Sequence, residues 1–171
     1  MIVVDTGPLW SFAVVDRLDL LGVRMTGRAA WTTAVREEVR RNTAANPFLE
    51  DVLDLSWLPE PVDLAEIGLA KSAFNLRQRL ASAGDHPLEH LGEAESIVYA
   101  KHLGAASFLT ADLDASRRAK FEGVHVIWTT TVLGELVADG DLREADGWDL
   151  CQRLQRLGRL PLHLTRQSVF G

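Results

Sequence analysis

Several features that mark particular classes of protein are rare or missing in this sequence. Its single cysteine, Cys151, excludes an internal disulfide framework and a cysteine-rich zinc site. No apolar run approaches the length of about 20 residues that spans a bilayer. The first residues also lack the basic region and cleavage site of a signal peptide. We therefore expect a soluble cytoplasmic protein without membrane contact.

An excess of positive charge is also missing. The 18 lysines and arginines are outnumbered by 24 aspartates and glutamates, which gives a formal net charge of −6. This balance argues against a non-specific coat on nucleic acid, since such binding depends on basic side chains. It leaves room for an enzyme that acts on nucleic acid, because clustered carboxylates become useful once a cation neutralises them.

The sequence does contain a regular alternation of strand-like and helix-like segments. Branched apolar runs predict buried strands at 2–5, 105–112 and 124–130, with a further short strand and a helix within 29–42. Periodic segments predict the other main helices, at about 8–21, 65–83, 92–104, 113–123, 131–140 and 143–158. The alternation predicts one α/β domain, residues 1–171, with a parallel sheet between helices.

Two of the predicted strands end on an aspartate. Asp5 follows the first strand, and Asp112 ends the segment AASFLTAD. The carboxyl ends of parallel strands meet at one edge of the sheet, where ligands bind in such folds. A carboxylate directly after a buried strand is partly desolvated, which is costly unless something compensates for it. The sequence therefore predicts a functional site that contains Asp5 and Asp112.

The tripeptide Asp5-Thr6-Gly7 is compatible with three chemistries. Aspartic proteases use Asp-Thr-Gly, but they are all-β and need two such motifs, whereas this chain has one and is rich in predicted helices. Phosphatases of the haloacid-dehalogenase type need a second aspartate two residues after the first, and Gly7 stands there. A metal-dependent nuclease is the interpretation that the sequence favours.

Further carboxylates can converge on the same edge. They are the pair Glu37-Glu38, Glu93 with Glu95, and Asp114. Carboxylates that gather at one place repel each other, and a hard cation such as Mg²⁺ or Mn²⁺ removes the conflict. Such a cation can activate a water and stabilise the transition state of phosphodiester hydrolysis. A solvated charged face is the alternative for Glu37 and Glu38, which lie among arginines.

Four stretches together, VVDTGPL, VREEV, LGEAESIVYAKHLG and FLTADLDA, resemble the motifs of a PIN domain, most closely of VapC-like ribonucleases. The resemblance implies a three-layer α/β/α fold around a central parallel sheet. It also implies a Mg²⁺- or Mn²⁺-dependent endoribonuclease that is the toxin of a toxin–antitoxin pair. Such a toxin would be silenced by a small antitoxin protein and would form a homodimer.

The resemblance also implies roles for individual residues. Four acids would be catalytic: Asp5, Glu38, Glu93 and Asp112. Metal binding would fall to Asp5, Glu93, Asp112 and Asp114. Glu37 stays open as an alternative to Glu38, and Glu95 as an alternative to Glu93, as does the choice between one and two metal ions.

Four other residues have supporting roles in this interpretation. Thr6 would orient a ligand or a water, and Thr110 would brace the turn before Asp112. Arg117 and Arg118, on the next predicted helix, are candidates for RNA contacts, with a solvated face as the alternative. A protein that kept the fold without turnover would instead be a binding module acting through a protein partner.

Five tryptophans are many for a chain of this length. We expect Trp10 and Trp31 in the apolar core and Trp57, in the segment SWLPEP, at a partner surface. His86 and His90 are four residues apart, but the intervening Pro87 argues against a helical zinc site.

Overall fold

The computed structural model of the protein describes residues 1–81, 84, 86 and 88–171. Its centre is a four-stranded sheet in the order β2-β1-β3-β4, and every pair of neighbours is parallel. The strands are β1 (Ile2–Val4), β2 (Ala29–Ala30), β3 (Ser107–Thr110) and β4 (His125–Trp128). The predicted parallel sheet is confirmed.

Helices connect the strands and cover the sheet. They are α1 (Thr6–Val14), α2 (Leu18–Met25), α3 (Thr33–Asn42), α4 (Glu50–Leu53), α5 (Ala70–Leu80), α6 (Leu91–His102), α7 (Leu113–Phe121), α8 (Thr129–Ala138), α9 (Glu144–Arg156) and α10 (Arg166–Phe170). A 3₁₀ turn, Pro47–Leu49, precedes α4. None of the helices in the part of the chain that the structure describes combines the length and the apolar character that a membrane span needs.

The sheet separates two apolar clusters. Successive side chains of a strand point to opposite faces, so Val3 belongs to one cluster while Ile2 and Val4 belong to the other. Helices α1, α2, α3, α8 and α9 supply core residues on the face of Val4. Helices α5, α6 and α7 supply them on the face of Val3. The fold is therefore the three-layer α/β/α arrangement that the sequence predicts.

Strand register places the predicted acids at one edge. Val4 lies opposite Leu109 in the pairing of β1 with β3, and the backbone N–H of Asp5 donates to the carbonyl of Leu109 at 3.0 Å. Asp5 therefore leaves its strand beside Thr110 and the turn that leads to Asp112.

The first helical segment differs from the prediction. The expected helix over 8–21 is two helices, because the chain turns between α1 and α2 with Asp16 at a φ of 57°. Aspartate tolerates this left-handed conformation better than most residues do. The helix also begins at Thr6, before Pro8, because the Asp5 side chain caps its first turn.

Two further differences concern other helices. The helix expected over 65–83 begins at Ala70, after Gly68 turns the chain at a φ of 75°, and the predicted positions 82 and 83 lie outside the described residues. Helix α10 was not predicted, since five residues are too few for a clear periodic pattern. The prediction against a helical zinc site at His86 and His90 depends on Pro87, which also lies outside the described residues.

The tryptophans divide between core and surface. Trp31 is buried in the core, as predicted, and its Nε1 donates to the carbonyl of Pro59 at 2.6 Å. Trp10 is only partly buried, so its predicted core position is wrong in part. Trp57 packs its indole against Gly22 of α2, where an added Cβ would lie 2.7 Å from Nε1. Its predicted role at a partner surface stays a prediction.

Candidate active site

Asp5 is the most deeply placed acid of the site, with 4% of the residue exposed. Its Oδ1 accepts from the backbone N–H of Thr6 at 2.9 Å, and its Oδ2 accepts from Oγ1 of Thr110 at 2.8 Å. Thr110 Oγ1 also accepts from the backbone N–H of Asp112 at 3.1 Å. The Thr110 hydroxyl therefore links the first acid of the site to the turn that carries the last.

Glu38 joins the site from α3. Val35 and Val39 bury one face of this helix, and Thr6 Oγ1 donates to Oε2 of Glu38 at 2.9 Å. Gly92 of α6 keeps the two helices close at this point, since a Cβ there would lie 3.0 Å from Oε2 of Glu38. The Thr6 hydroxyl therefore orients a carboxylate of the site.

Glu93 and Asp112 come from the starts of two other helices. Glu93 lies in the first turn of α6, and its Oε2 is 3.1 Å from Nδ1 of His90. Asp112 is the N-cap of α7, and its Oδ1 accepts from the backbone N–H of Ala115 at 2.7 Å. Both carboxylates lie near helix N-termini, whose dipoles favour negative charge.

One cavity of about 310 Å³ collects these side chains. Its walls include four carboxylates from four separate segments of the chain, Asp5, Glu38, Glu93 and Asp112. The structure thus brings together all four acids that the sequence analysis takes as catalytic.

Burial and mutual repulsion disturb the ionisation of these acids. Burial raises the pKa of Asp5 to about 7, and the negative charges of Glu93 and Glu38 contribute in the same direction. The Thr110 hydrogen bond acts against this rise. Burial also raises the pKa of Glu93, opposed by its hydrogen bond with His90 and supported by the charge of Asp112. A bound cation would offset the repulsion between these carboxylates and favour their ionised form.

The structure distinguishes between the alternative acids. Glu37 does not line the cavity and pairs with Arg40, whose Nε donates to it at 2.9 Å. Glu95 does not line it either, and its Oε2 accepts from the backbone N–H of Ala34 at 3.2 Å. Glu38 and Glu93 are therefore the members of each pair that reach the site.

Three other predicted residues lie outside the cavity. Asp114 has 85% of its side chain exposed and pairs with Arg117 at 3.1 Å on the same helix. Arg118 pairs with Glu122 at 2.7 Å. Metal binding by Asp114 and RNA contacts by Arg117 and Arg118 stay predictions.

Two lining residues, Gly158 and Arg159, are not among the site residues that the sequence analysis predicts. Arg159 follows α9 after a turn at Gly158, whose φ of 68° favours glycine. The Arg159 guanidinium lies 5.1 Å from the ring centre of Trp10, and its Nη2 donates to the carbonyl of Gly7 at 3.5 Å. Arg159 is far from the acids in sequence, so the only local signal is the glycine that precedes it.

The donor set fits a hard divalent cation. Within residues 1–81, 84, 86 and 88–171, no three histidine, cysteine, aspartate or glutamate side chains are grouped closely enough to hold a metal ion. The chemistry of the cavity nevertheless suits Mg²⁺ or Mn²⁺, because its four acids offer only oxygen ligands and two of them resist ionisation.

Replacing Thr110 with valine is expected to move the pH dependence of any reaction that needs ionised Asp5. The hydroxyl lowers the pKa of Asp5, so its loss raises that pKa further. We expect activity about tenfold lower near pH 7 and a smaller deficit near pH 9. A profile of kcat/KM against pH checks this, with the exposed Thr131→Val as the matched control. Parallel profiles for the two variants would contradict it.

A comparison with known protein families gives a match, and the matched residues include the whole acidic cavity. A family model described as DUF3368, a PIN domain, matches residues 1–159. Every residue that lines the acidic cavity falls within this span, and Arg159 is its last position. Searches of curated proteins and of solved structures gave no match.

Proposed function

Since the chain belongs to the PIN-domain family, whose members are generally nucleases, we propose that it is a divalent-metal-dependent endoribonuclease. The observation that carries the proposal is the gathering of four carboxylates in one cavity at the carboxyl edge of the sheet. Oxygen ligands of this kind suit Mg²⁺ and Mn²⁺. The reaction is the hydrolysis of an RNA phosphodiester bond.

The cation would be held by Asp5, Glu93 and Asp112. Asp114, from the same turn as Asp112, would be a further ligand. When bound, the cation stabilises the negative charge that develops on the phosphate. Thr110 holds the Asp5 carboxylate in place, and Thr6 orients Glu38. Glu38 would accept a proton from the attacking water, and Arg159 adds a positive charge to the wall of the cavity.

We also propose that the enzyme is a VapC-like toxin. This part is supported by the resemblance of VVDTGPL and LGEAESIVYAKHLG to that branch. In this role a small antitoxin would cover the acidic cavity, and the toxin would form a homodimer in the cytoplasm. Residues 1–171 would form one domain, since Leu164, Val169 and Phe170 pack against the core beyond the matched family span.

The test is cleavage of RNA by the purified protein in Mg²⁺, in Mn²⁺ and in EDTA. We expect cleavage with either metal and none in EDTA. Glu93→Gln is expected to lower the rate by about a hundredfold, because it removes one charge that faces the cation. Glu95→Gln is the matched control on the same helix, and it keeps an oxygen that accepts from Ala34.

Two results would contradict the proposal. Cleavage that persists in EDTA at the same rate would exclude the metal-dependent mechanism. Equal rates for Glu93→Gln and the unaltered protein would remove Glu93 from the site. Loss of activity in Glu95→Gln alone would exchange the roles of the two glutamates.

A further inference from the structure

A second cavity adjoins the acidic one. It has a volume of about 500 Å³, within the range typical of ligand sites. Its walls are largely apolar and include Leu113, Trp128, Leu160 and Pro161. Ala111 and Arg159 line both cavities, so the two spaces share a wall.

The apolar cavity also carries a buried hydroxyl. Thr129 is 1% exposed and is one of the lining residues. Its Oγ1 has no hydrogen-bond partner among the residues that the structure describes. A buried hydroxyl without a partner is uncommon and costly, and a polar group on a ligand in this cavity would supply the missing partner.

Arg159 supplies the link between the cavities. Its guanidinium stacks over Trp10, and no carboxylate of the described residues forms an ion pair with it. The Nε of Arg159 is buried and has no hydrogen-bond partner among the residues that the structure describes. A guanidinium with unused donors suits a phosphate group.

We propose that the apolar cavity binds the nucleobase of an unpaired nucleotide next to the scissile phosphate. This inference rests on the proposed function, because the acidic cavity is taken to hold that phosphate. A nucleobase has apolar faces that suit Trp128 and Leu160 and a polar edge that suits the Thr129 hydroxyl. Arg159, on the shared wall, would contact the phosphate that joins the two nucleotides. The base has to be unpaired, since a stacked and paired base cannot enter a cavity.

An apolar side chain of a protein partner is the competing occupant. Such a side chain would fill the apolar space but would leave the Thr129 hydroxyl and Nε of Arg159 without partners. A nucleotide would offer polar atoms to both groups, from the edge of its base and from the phosphate beside it. The observed polar atoms therefore favour the nucleotide.

The test measures binding of fluorescent single-stranded RNA in Ca²⁺, using a series of oligonucleotides that each lack one base. We expect one or two adjacent positions at which loss of the base weakens binding by about tenfold. Thr129→Val is expected to weaken binding of intact RNA by about fivefold. It should have no further effect on the oligonucleotide that lacks the critical base, because the two changes remove one interaction. Thr131→Val, two residues along the same helix and exposed, is the matched control.

The folding of Thr129→Val is checked by its thermal midpoint. The change replaces a buried hydroxyl with a methyl of similar size, so stability is expected to be equal or higher. Cleavage of the same oligonucleotides in Mg²⁺ is measured in parallel, so that binding and reaction are judged separately.

Base-dependent binding without cleavage would support the nucleobase site and contradict the nuclease proposal. If the protein cleaves RNA, but removal of any single base changes neither cleavage nor binding, the nuclease proposal stands and the nucleobase site is overturned. A protein partner would then be the favoured occupant of the apolar cavity. Equal binding by Thr129→Val and Thr131→Val would overturn the role of the hydroxyl and with it the inference. Absence of RNA binding by the unaltered protein would overturn it as well.

Discussion

Replacing Asp5 with asparagine is expected to lower metal-dependent RNA cleavage by at least about 10³-fold. The carboxylate is buried, lines the cavity and interacts with two other acids of the site. A cation that loses such a ligand supplies less stabilisation to the phosphate, and several kcal/mol of that stabilisation correspond to about this factor. The measurement is the single-turnover rate in saturating Mn²⁺.

Asparagine suits the fold at this position. Its carbonyl can accept from the backbone N–H of Thr6, and its amide can donate to the Thr110 hydroxyl, which is free to rotate. The matched control is Asp54→Asn, which changes an exposed acid that does not line the cavity. A loss smaller than tenfold in Asp5→Asn would show that Asp5 is dispensable for the reaction.

The same substitution is expected to stabilise the metal-free protein at alkaline pH. Folding raises the pKa of Asp5 from 3.8 to about 7, so the folded state binds the proton more tightly than the unfolded state. The contribution of Asp5 to the stability of the unaltered protein is therefore full below about pH 4 and is lost as the pH rises through 7. The complete fall corresponds to about 4 kcal/mol.

The introduced asparagine carries no charge, so the Asp5→Asn variant should lack most of this dependence. Urea unfolding in EDTA at several values between pH 5 and 8 measures it. We expect the advantage of Asp5→Asn to grow with pH, while Asp54→Asn follows the unaltered protein. Mn²⁺ added at pH 8 should stabilise the unaltered protein far more than the variant. Parallel stability curves for the unaltered protein and Asp5→Asn would contradict the raised pKa.

The layered fold could be predicted from the sequence because strand and helix periodicities are local. The run from Ile2 to Val4 and the segment that ends on Asp112 show buried strands by their branched apolar residues. The boundaries were less accessible. The break at Asp16 depends on a left-handed turn that the apolar pattern around it does not mark.

Part of the candidate site could also be predicted from the sequence, because it depends on local patterns. Asp5 and Asp112 follow strands, and parallel strands end at one edge whatever the rest of the fold does. The choices between Glu37 and Glu38 and between Glu93 and Glu95 were different. Successive positions on a helix differ by about 100° in direction, so the two members of each pair point to different sides of their helix. The packing of α3 against α6 therefore decides which carboxylate enters the cavity.

The class of fold, the common sheet edge of Asp5 and Asp112, and the oxygen-only character of the acids around them follow from the sequence alone. The position of Arg159 beside those acids and over Trp10, and the burial of the Thr129 hydroxyl at an adjoining apolar cavity, depend on tertiary packing. The physical reason is distance along the chain. Periodicity and capping act over a few residues, whereas Arg159 reaches the carbonyl of Gly7 across 152 positions through the packing of the whole domain.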